Sequence, residues 1–152
     1  MMSNTFKIRE AAVGDAAQIG AIARAAYAKY VSRIGRDPAP MFADYSQLIA
    51  ESSCIVLEVR GQVIGYMAAW AEADAYFIEN IAVDPAFQRK GLGRRLIDHA
   101  AAEAQRLRLP ALRLYTNAMM VENFAMYQHL GFVETHRTVE DGYHRVYMRR
   151  GL

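Results

Sequence analysis

Hydrophobic residues recur along the chain with two different spacings, and the changes between them predict the order of secondary structure. Period-two or continuous apolar runs, typical of strands, occur at residues 5–9, 54–59, 62–70, 76–83, 111–115, 132–139 and 143–149. Spacings of three and four, typical of helices, occur at residues 14–30, 43–50, 93–107 and 121–130. The order β-α-α-β-β-β-α-β-α-β-β predicts an α/β (α+β) fold: one mixed, mostly antiparallel sheet of about seven strands with helices on both faces.

Glycine and proline residues mark where these elements end. Two prolines and one glycine break the helical pattern at residues 35–40, which predicts a loop between the first two helices. The pairs Arg60-Gly61 and Asp141-Gly142 predict tight turns that join neighbouring strands into hairpins. Because the chain contains no internal repeat, low-complexity tract or linker, residues 1–152 are expected to form a single domain.

Composition narrows the class of protein without identifying it. Of the 152 residues, 53% are hydrophobic and 22% are charged, the formal net charge is +2, and no apolar run has the length of a membrane span. The first ten residues lack the apolar stretch and cleavage pattern of a secretory signal. We therefore expect a cytoplasmic protein with no membrane partner, and the small net charge gives no indication of nucleic-acid binding.

Cysteine and histidine are not arranged like metal ligands. Cys54, the single cysteine, begins the apolar run 54–57 and is expected to be a small buried side chain rather than a nucleophile. The four histidines include no pair spaced by four residues on a helix. No metal site is expected.

The clearest chemical signal is a glycine-containing loop between a predicted strand and a predicted helix. Two glycines free the backbone to curl, so that several amides point outward at the start of the helix, where they bind anions. Four cations within seven residues add positive charge, and the combination predicts a site for a diphosphate. The loop and the start of the helix read Gln88, Arg89, Lys90, Gly91, Leu92, Gly93, Arg94 and Arg95.

Other nucleotide-binding loops do not fit this segment. A Walker loop ends in Gly-Lys-Ser/Thr, whereas Gly91 is followed by Leu92, Gly93 and Arg94. The dinucleotide fingerprint requires three glycines before the helix, and only two are present. The alternative is that both glycines are plain turn residues, and the motifs around the loop argue against it.

The loop and its surroundings resemble the GNAT superfamily of N-acetyltransferases, whose acetyl-CoA signature is Gln/Arg-x-x-Gly-x-Gly/Ala between the fourth strand and the third helix. The signature is matched by residues 88–93. The preceding Ile-Ala-Val-Asp-Pro at 81–85 and the later Asn-Phe-Ala-Met-Tyr at 123–127 with Leu-Gly-Phe at 130–132 also resemble that family. The resemblance covers residues 77–132 and implies the GNAT-like acyl-CoA N-acyltransferase fold.

The resemblance implies that the cofactor is acetyl-CoA, with CoA as product. In that family the backbone of the fourth strand pairs with the pantetheine arm, which here corresponds to Ile81, Ala82 and Val83. One amide of that strand polarises the thioester carbonyl. Asn123 would lie beside the cofactor arm, unless it only satisfies its own backbone at the start of a helix. The diphosphate would bind Gln88, Arg89, Lys90, Gly91, Leu92, Gly93 and Arg94.

Attack of an amine on a thioester requires the neutral amine, whereas a lysine-like amine with a pKa of about 10.4 is protonated at neutral pH. Glu79 is the candidate base, because it lies in an apolar strand two residues before the thioester-facing position. Alternatively, Glu79 faces solvent or only attracts a cationic substrate. Asn80 could equally point into the site through a local bulge.

The departing thiolate takes up a proton, and a nearby hydroxyl would supply it. The resemblance places Tyr127 in this role. The alternative is that Tyr127 packs its ring with Phe124 and Leu130 on one face of the helix.

The resemblance also indicates which segments line the acceptor pocket: the connection between the first two helices, the end of the fifth strand and the last hairpin. Several tyrosines and Arg36 there suit a small polar acceptor such as an amino acid or amine, unless the tyrosines are ordinary half-buried residues of the sheet. The candidates are Tyr27, Tyr30, Arg36, Asn80, Tyr115, Asn117 and Tyr143.

The predicted function is transfer of an acetyl group from acetyl-CoA to a primary amine, most readily that of a small molecule, by direct attack in a ternary complex. Acetylation of a protein N-terminus, a lysine or an RNA-linked amine is the first alternative. A non-catalytic acyl-CoA sensor is the second, and the presence of both Glu79 and Tyr127 argues against it. A homodimer through a sheet edge or the last hairpin is compatible with the pattern.

Overall fold

Seven strands hydrogen-bond into one sheet in the computed structural model, which describes residues 5–152. The spatial order is β1-β2-β3-β4-β5-β7-β6, and every neighbouring pair is antiparallel except β4 and β5, which are parallel. The predicted mixed, mostly antiparallel sheet is confirmed. The strands are β1 (Phe6–Glu10), β2 (Cys54–Val59), β3 (Gln62–Ala71), β4 (Tyr76–Val83), β5 (Ala111–Asn117), β6 (Val133–Glu140) and β7 (Tyr143–Gly151).

Five α-helices and four short 3-10 turns connect the strands. The helices are α1 (Ala16–Tyr27), α2 (Val31–Ile34), α3 (Tyr45–Ala50), α4 (Leu92–Arg106) and α5 (Val121–His129). The helix predicted at 14–30 is α-helical only over α1, because its last three residues form a 3-10 turn at Ala28–Tyr30, and α2 follows beyond the predicted end. Gly35 then ends α2 in the left-handed conformation, with φ of 85°. None of the helices among residues 5–152 is long and apolar enough to cross a bilayer.

The two faces of the sheet carry separate cores. On one face, α1 and α3 pack against β2 and β3 around Ile19, Ile22 and Tyr66. On the other face, α4 and α5 pack against β4 and β5 around Leu96 and Ile97. Helices therefore cover both faces, as predicted, and the removal of these side chains from water stabilises the sheet.

Helix α4 follows its predicted apolar face with one exception. Leu96, Ile97, Ala100 and Ala104 are fully buried. Leu107, predicted to continue that face, is 39% exposed. The prediction for Leu107 is wrong because the helix ends at Arg106, so the spacing of α4 no longer fixes the direction of the next side chain.

Both predicted hairpins have the tight turns that their sequences indicate. Arg60 and Gly61 have φ of 53° and 78°, and Asp141 and Gly142 have φ of 52° and 81°. Two consecutive left-handed residues form the turn whose twist matches paired strands. Strands β1 and β6 form the edges of the sheet. Dimerisation through such an edge stays a prediction.

Candidate active site

The sheet opens between β4 and β5. Strand β4 pairs with β3 from Tyr76 to Val83, whereas it pairs with β5 only from Tyr76 to Ile78, against Leu112 to Leu114. Within residues 5–152, the rest of β4 and the end of β5 have no strand between them. The two strands therefore diverge after Ile78 and leave a wedge-shaped opening.

The backbone of β4 offers hydrogen-bonding groups to this opening. The Tyr27 hydroxyl donates to the carbonyl of Ile81 at 3.0 Å, and the side-chain amide of Gln88 donates to the carbonyl of Val83 at 3.0 Å. Because backbone groups alternate in direction along a strand, Ile81 and Val83 face the opening and Ala82 faces β3. All three residues have partners on β3, and it is the backbone of Ile81 and Val83 whose carbonyls accept from side chains outside the sheet.

The glycine loop lies at the end of β4 and curls as predicted. Arg89 and Gly91 have φ of 65° and 73°, two left-handed residues separated by one. Such alternation turns successive amides toward one side and forms an anion-binding concavity. Helix α4 begins at Leu92, one residue earlier than predicted, with Gly91 as its N-cap. The buried Leu92 side chain anchors the loop in the core.

The charges around the loop suit an anion. Arg89, Lys90 and Arg94 are exposed, and the first turn of α4 contains no acidic residue. Arg95 is held elsewhere, because its guanidinium donates to the carbonyl of Phe6 at 3.4 Å and lies over the Phe6 ring. Lys90 lies 6.0 Å over the Phe87 ring and stays exposed, and the helix N-terminus adds a partial positive charge to these three exposed cations.

A cavity of about 40 Å³ lies where β4 and β5 diverge. Its wall comes from the end of α1, the loop after α2, β4, β5, α5 with the residue before it, and β7. Predicted residues in this wall are Tyr27, Glu79, Asn80, Ile81, Tyr115, Asn117, Asn123, Tyr127 and Tyr143. Further lining residues that sequence reasoning did not single out are Pro38, Ala39, Pro40, Ile78, Leu114, Thr116, Met120 and Arg145.

Glu79 is the extra residue of a β-bulge. The register pairs Ala69 with Ile78 and Ala68 with Asn80, so Glu79 has no partner residue on β3. Its carboxylate is half-buried in the cavity wall. Burial raises the pKa of Glu79, and the positive charge of Arg145 opposes that rise. A carboxylate with a raised pKa is a stronger base than an ordinary glutamate.

Tyr127, a residue only 5% exposed, contributes its hydroxyl to the same cavity. Its ring contacts Phe132 edge-on at 5.8 Å, and no hydrogen bond to the hydroxyl is found among residues 5–152. Burial, with a smaller effect from Tyr30, raises the pKa of Tyr127. The hydroxyl therefore keeps its proton at neutral pH and is available as a donor.

Two predicted acceptor residues lie outside the cavity wall. Tyr30 is buried, and its hydroxyl donates to the side-chain oxygen of Asn123 at 3.4 Å. Arg36 donates to the carbonyl of Asp141 at 2.7 Å and lies 3.9 Å over the ring of Tyr143. The Tyr143 hydroxyl in turn donates to the carbonyl of Asp37 at 2.5 Å. These contacts join the loop after α2 to the last hairpin and form a roof over the cavity.

Arg145 is the charged lining residue that the sequence reasoning missed. Its side chain is 14% exposed, lies 4.3 Å over the ring of Tyr115 and approaches Glu140 at 3.8 Å. The signal was available, because Arg145 is two residues from Tyr143 in a strand and so shares its face. Among residues 5–152 no group of three or more His, Cys, Asp or Glu side chains is placed to hold a metal ion.

Comparisons with known proteins agree on the type of domain. A family model described as acetyltransferase (GNAT) domain matches residues 50–134. The [ribosomal protein bS18]-alanine N-acetyltransferase of Escherichia coli K12 is 40% identical over 74 residues, which are 46% of this chain and 50% of that protein. The chain thus spans about half the length of the curated relatives it matches.

Solved structures share the whole fold. The PaiA N-acetyltransferase of Thermoplasma acidophilum, in complex with coenzyme A, superposes with a TM-score of 0.79 at 16% identity, over 97% of this chain and 99% of that one. The ribosomal-protein-S18-alanine N-acetyltransferase of Escherichia coli superposes with a TM-score of 0.74 at 23% identity, over 97% and 94% of the two chains. At these identities the superpositions establish the architecture of the sheet and helices.

Proposed function

The chain belongs to the GNAT family of acetyltransferases, and from this premise we propose that it transfers the acetyl group of acetyl-CoA to a primary amine. The opening between β4 and β5 carries the proposal, because it joins three features that acetyl transfer needs. The curled loop lies at one end, the edge of β4 that no longer pairs with β5 lies along one side, and Glu79 and Tyr127 line the cavity at the other end.

The residues around the opening fit acetyl-CoA. The amides of the curl and the exposed Arg89, Lys90 and Arg94 suit its diphosphate. The backbone of Ile81 and Val83 suits the amide groups of the pantetheine arm, with Asn123 facing it from α5. In this arrangement the backbone N–H of Ile81 would be the donor to the thioester carbonyl, because Ile81 presents its backbone away from β3, where its carbonyl accepts from Tyr27.

The thioester supplies an activated acetyl group, and this chain supplies the proton transfers. Glu79 accepts a proton from the incoming amine, directly or through water, and its raised pKa makes it a stronger base than an ordinary glutamate. Tyr127 donates its proton to the departing sulfur, and the raised pKa of its hydroxyl keeps that proton in place until the leaving group develops charge.

The roof over the cavity favours a small acceptor. The cavity of about 40 Å³ holds the reacting amine and a few neighbouring atoms. Arg36 and Tyr143 hold the loop and the hairpin together above it. An acceptor with a narrow end therefore fits without displacing the roof.

The α-amine of a protein N-terminus is the second candidate acceptor. It is favoured by the curated relatives, which carry the name of an alanine N-acetyltransferase acting on ribosomal protein bS18. A chain terminus also has a narrow end, and the remainder of a peptide would lie along the loop and the hairpin.

A thiol-release assay with acetyl-CoA tests both candidates. The panel contains amino acids, polyamines and other small primary amines, and tetrapeptides that begin with alanine. Release with the small amines supports the first candidate, and release only with peptides supports the second. If no amine in the panel raises the rate of thiol release above that of acetyl-CoA hydrolysis without an acceptor, the proposed activity is contradicted.

Glu79→Gln tests the base with the best acceptor. We expect kcat/KM to fall about 10²-fold or more, while CoA binding measured by calorimetry stays unchanged. Glu72→Gln is the matched control, because Glu72 is a glutamate bonded to Arg113 outside the cavity wall. Equal activity of the two variants would rule out Glu79 as the base.

A further inference from the structure

Asn80 has a side-chain amide with one partnered end and one unpartnered end. Asn80 is 6% exposed and lies in the cavity wall. One end of its amide lies 2.5 Å from the Tyr66 hydroxyl and 3.4 Å from the Tyr45 hydroxyl. The other end is buried and has no hydrogen-bond partner among residues 5–152. A buried amide group without a partner is unfavourable, and a ligand that supplies one would relieve it.

The nature of the unpartnered end follows from counting protons along a chain of hydroxyls. The Tyr45 hydroxyl lies 2.5 Å from the carbonyl of Pro40, which only accepts, so Tyr45 donates there. The Tyr45 and Tyr66 hydroxyls are 3.0 Å apart, so Tyr66 donates to Tyr45. Tyr66 then has no proton left for Asn80.

The remaining contact, between Asn80 and the Tyr66 hydroxyl, therefore needs its donor from Asn80. As drawn in the structure, the carbonyl oxygen of the amide faces Tyr66 and would meet a hydroxyl oxygen without a proton. The two ends of an amide have the same shape, and hydrogen bonds decide which end points where. Burial raises the pKa of both tyrosines, so each keeps its one proton throughout the working pH range. The amide nitrogen thus belongs at Tyr66 and the carbonyl oxygen at the unpartnered position.

We propose that the side-chain carbonyl of Asn80 accepts a hydrogen bond from the acceptor amine and orients it for attack, with Tyr66 and Tyr45 as positioning residues. This inference rests on the proposed acetyl transfer. A neutral primary amine has two N–H groups and one lone pair. Glu79, which adjoins Asn80 at the bulge, takes one proton, and Asn80 holds the other N–H, so the lone pair points at the thioester carbon.

Solution NMR tests the direction of the amide without any turnover. We expect one side-chain amide proton of Asn80, assigned by its loss in Asn80→Ala, to exchange slowly with solvent in the wild-type protein. In Tyr66→Phe that proton should shift and exchange faster, because its acceptor is gone. An Asn80 amide signal that is the same in both proteins would overturn the assignment of the nitrogen to Tyr66.

Kinetics test the contact with the amine. We expect Asn80→Ala to lower kcat/KM for the acceptor about tenfold, the effect of one hydrogen bond, with the Kd for acetyl-CoA unchanged. Thermal unfolding checks that the variant is folded. If Asn80→Ala is folded and as active as wild type, the contact does not exist.

Tyr45→Phe and Tyr143→Phe form a matched pair. Each removes one hydroxyl that holds the loop after α2, at Pro40 and Asp37 respectively. Only Tyr45→Phe removes the hydroxyl to which Tyr66 donates. Tyr66 then donates to the side-chain carbonyl of Asn80, so the amide flips and its nitrogen, rather than its oxygen, faces the acceptor amine. We expect kcat to fall about tenfold in Tyr45→Phe, whereas Tyr143→Phe should change mainly KM. Equal losses in kcat would overturn the inference.

The two proposals fail in different ways. A wild-type protein that acetylates no amine in the panel would remove the proposed function and, with it, the amine that Asn80 is inferred to hold. An active wild-type protein whose Asn80 and Tyr45 variants keep full kcat would remove only the role of Asn80.

Discussion

Gly93 offers a direct test of why the loop contains glycine. It is the second residue of α4, its φ is not positive, and a Cβ built on it meets no atom within 4 Å. Nothing in the protein itself therefore requires glycine at this position. Gly91 differs, because its φ of 73° is strained for any residue with a Cβ.

Gly93→Ala should stabilise the fold. Alanine is better than glycine within a helix by about 0.5–1 kcal/mol. For a chain of this size that free energy raises the melting temperature by about 1–4 °C, measured by thermal unfolding without CoA.

The same change should weaken CoA binding. If the diphosphate packs against the curl, the new Cβ lies between a phosphate and the amides that bind it. Loss of one charge-assisted hydrogen bond costs about 1.5–3 kcal/mol, which corresponds to a roughly 10- to 150-fold higher Kd in calorimetry. Pantetheine, which has no diphosphate, should bind both proteins equally.

Gly14→Ala is the control for this experiment. A Cβ on Gly14 also meets open space, and Gly14 lies in the 3-10 turn before α1 rather than in the loop. It should bind CoA like the wild-type protein. If Gly93→Ala also binds CoA with wild-type affinity, the diphosphate does not approach Gly93 and the assignment of the loop is wrong.

Two further predictions concern the cavity. Tyr127→Phe should lower kcat about 10²-fold with little change in melting temperature, because phenylalanine keeps the ring contact with Phe132 and no hydrogen bond to the hydroxyl is found among residues 5–152, and a wild-type kcat would exclude Tyr127 as the acid. Arg145→Gln should shift the acidic limb of the kcat/KM profile to higher pH, since Arg145 lowers the pKa of Glu79 against the effect of burial and its loss lets that pKa rise. Arg113→Gln is the matched arginine outside the cavity wall, and an identical pH profile for the two variants would exclude the Arg145 charge as the cause.

The order of elements could be predicted because it depends on local periodicity. The strands at 54–59 and 76–83 were bounded correctly, since Arg60-Gly61 and Pro85 mark their ends in the sequence. The end of α1 at Tyr27 could not be predicted, because the apolar spacing continues through Ala28–Tyr30. Tyr27, the last residue of α1, also makes a tertiary contact that local spacing does not reveal, the hydrogen bond from its hydroxyl to the carbonyl of Ile81.

The site was predicted less completely than the fold. Motif residues such as Gly91 could be named, because their conformation is demanded locally. Arg145, Tyr45 and Tyr66 reach the cavity or its lining through the register of β7, the fold of α3 and the pairing of β3, none of which a single sequence specifies.

One backbone irregularity links the two halves of the site. In a regular strand Ile78, Asn80 and Ala82 would share a face. Here Ile78 packs in the core under α4, whereas Ala82 packs in the core under α1, so the bulge at Glu79 has reversed the alternation. Pairing with β5 ends at Ile78, immediately before the bulge.

The position of the bulge therefore decides which groups meet. It turns the Asn80 side chain toward Tyr66, while Ile81 and Val83 present their backbone to the opening between β4 and β5. Without the extra residue, Asn80 would point into the core under α4, where an amide has no partner and the tyrosine hydroxyls are out of reach. Glu79 is thus a candidate base, and its position as the extra residue of the bulge also sets the direction of the side chains that follow it in β4. Glu79→Gln keeps the bulge and removes the carboxylate, so it tests the proton transfer separately from the shape of the strand.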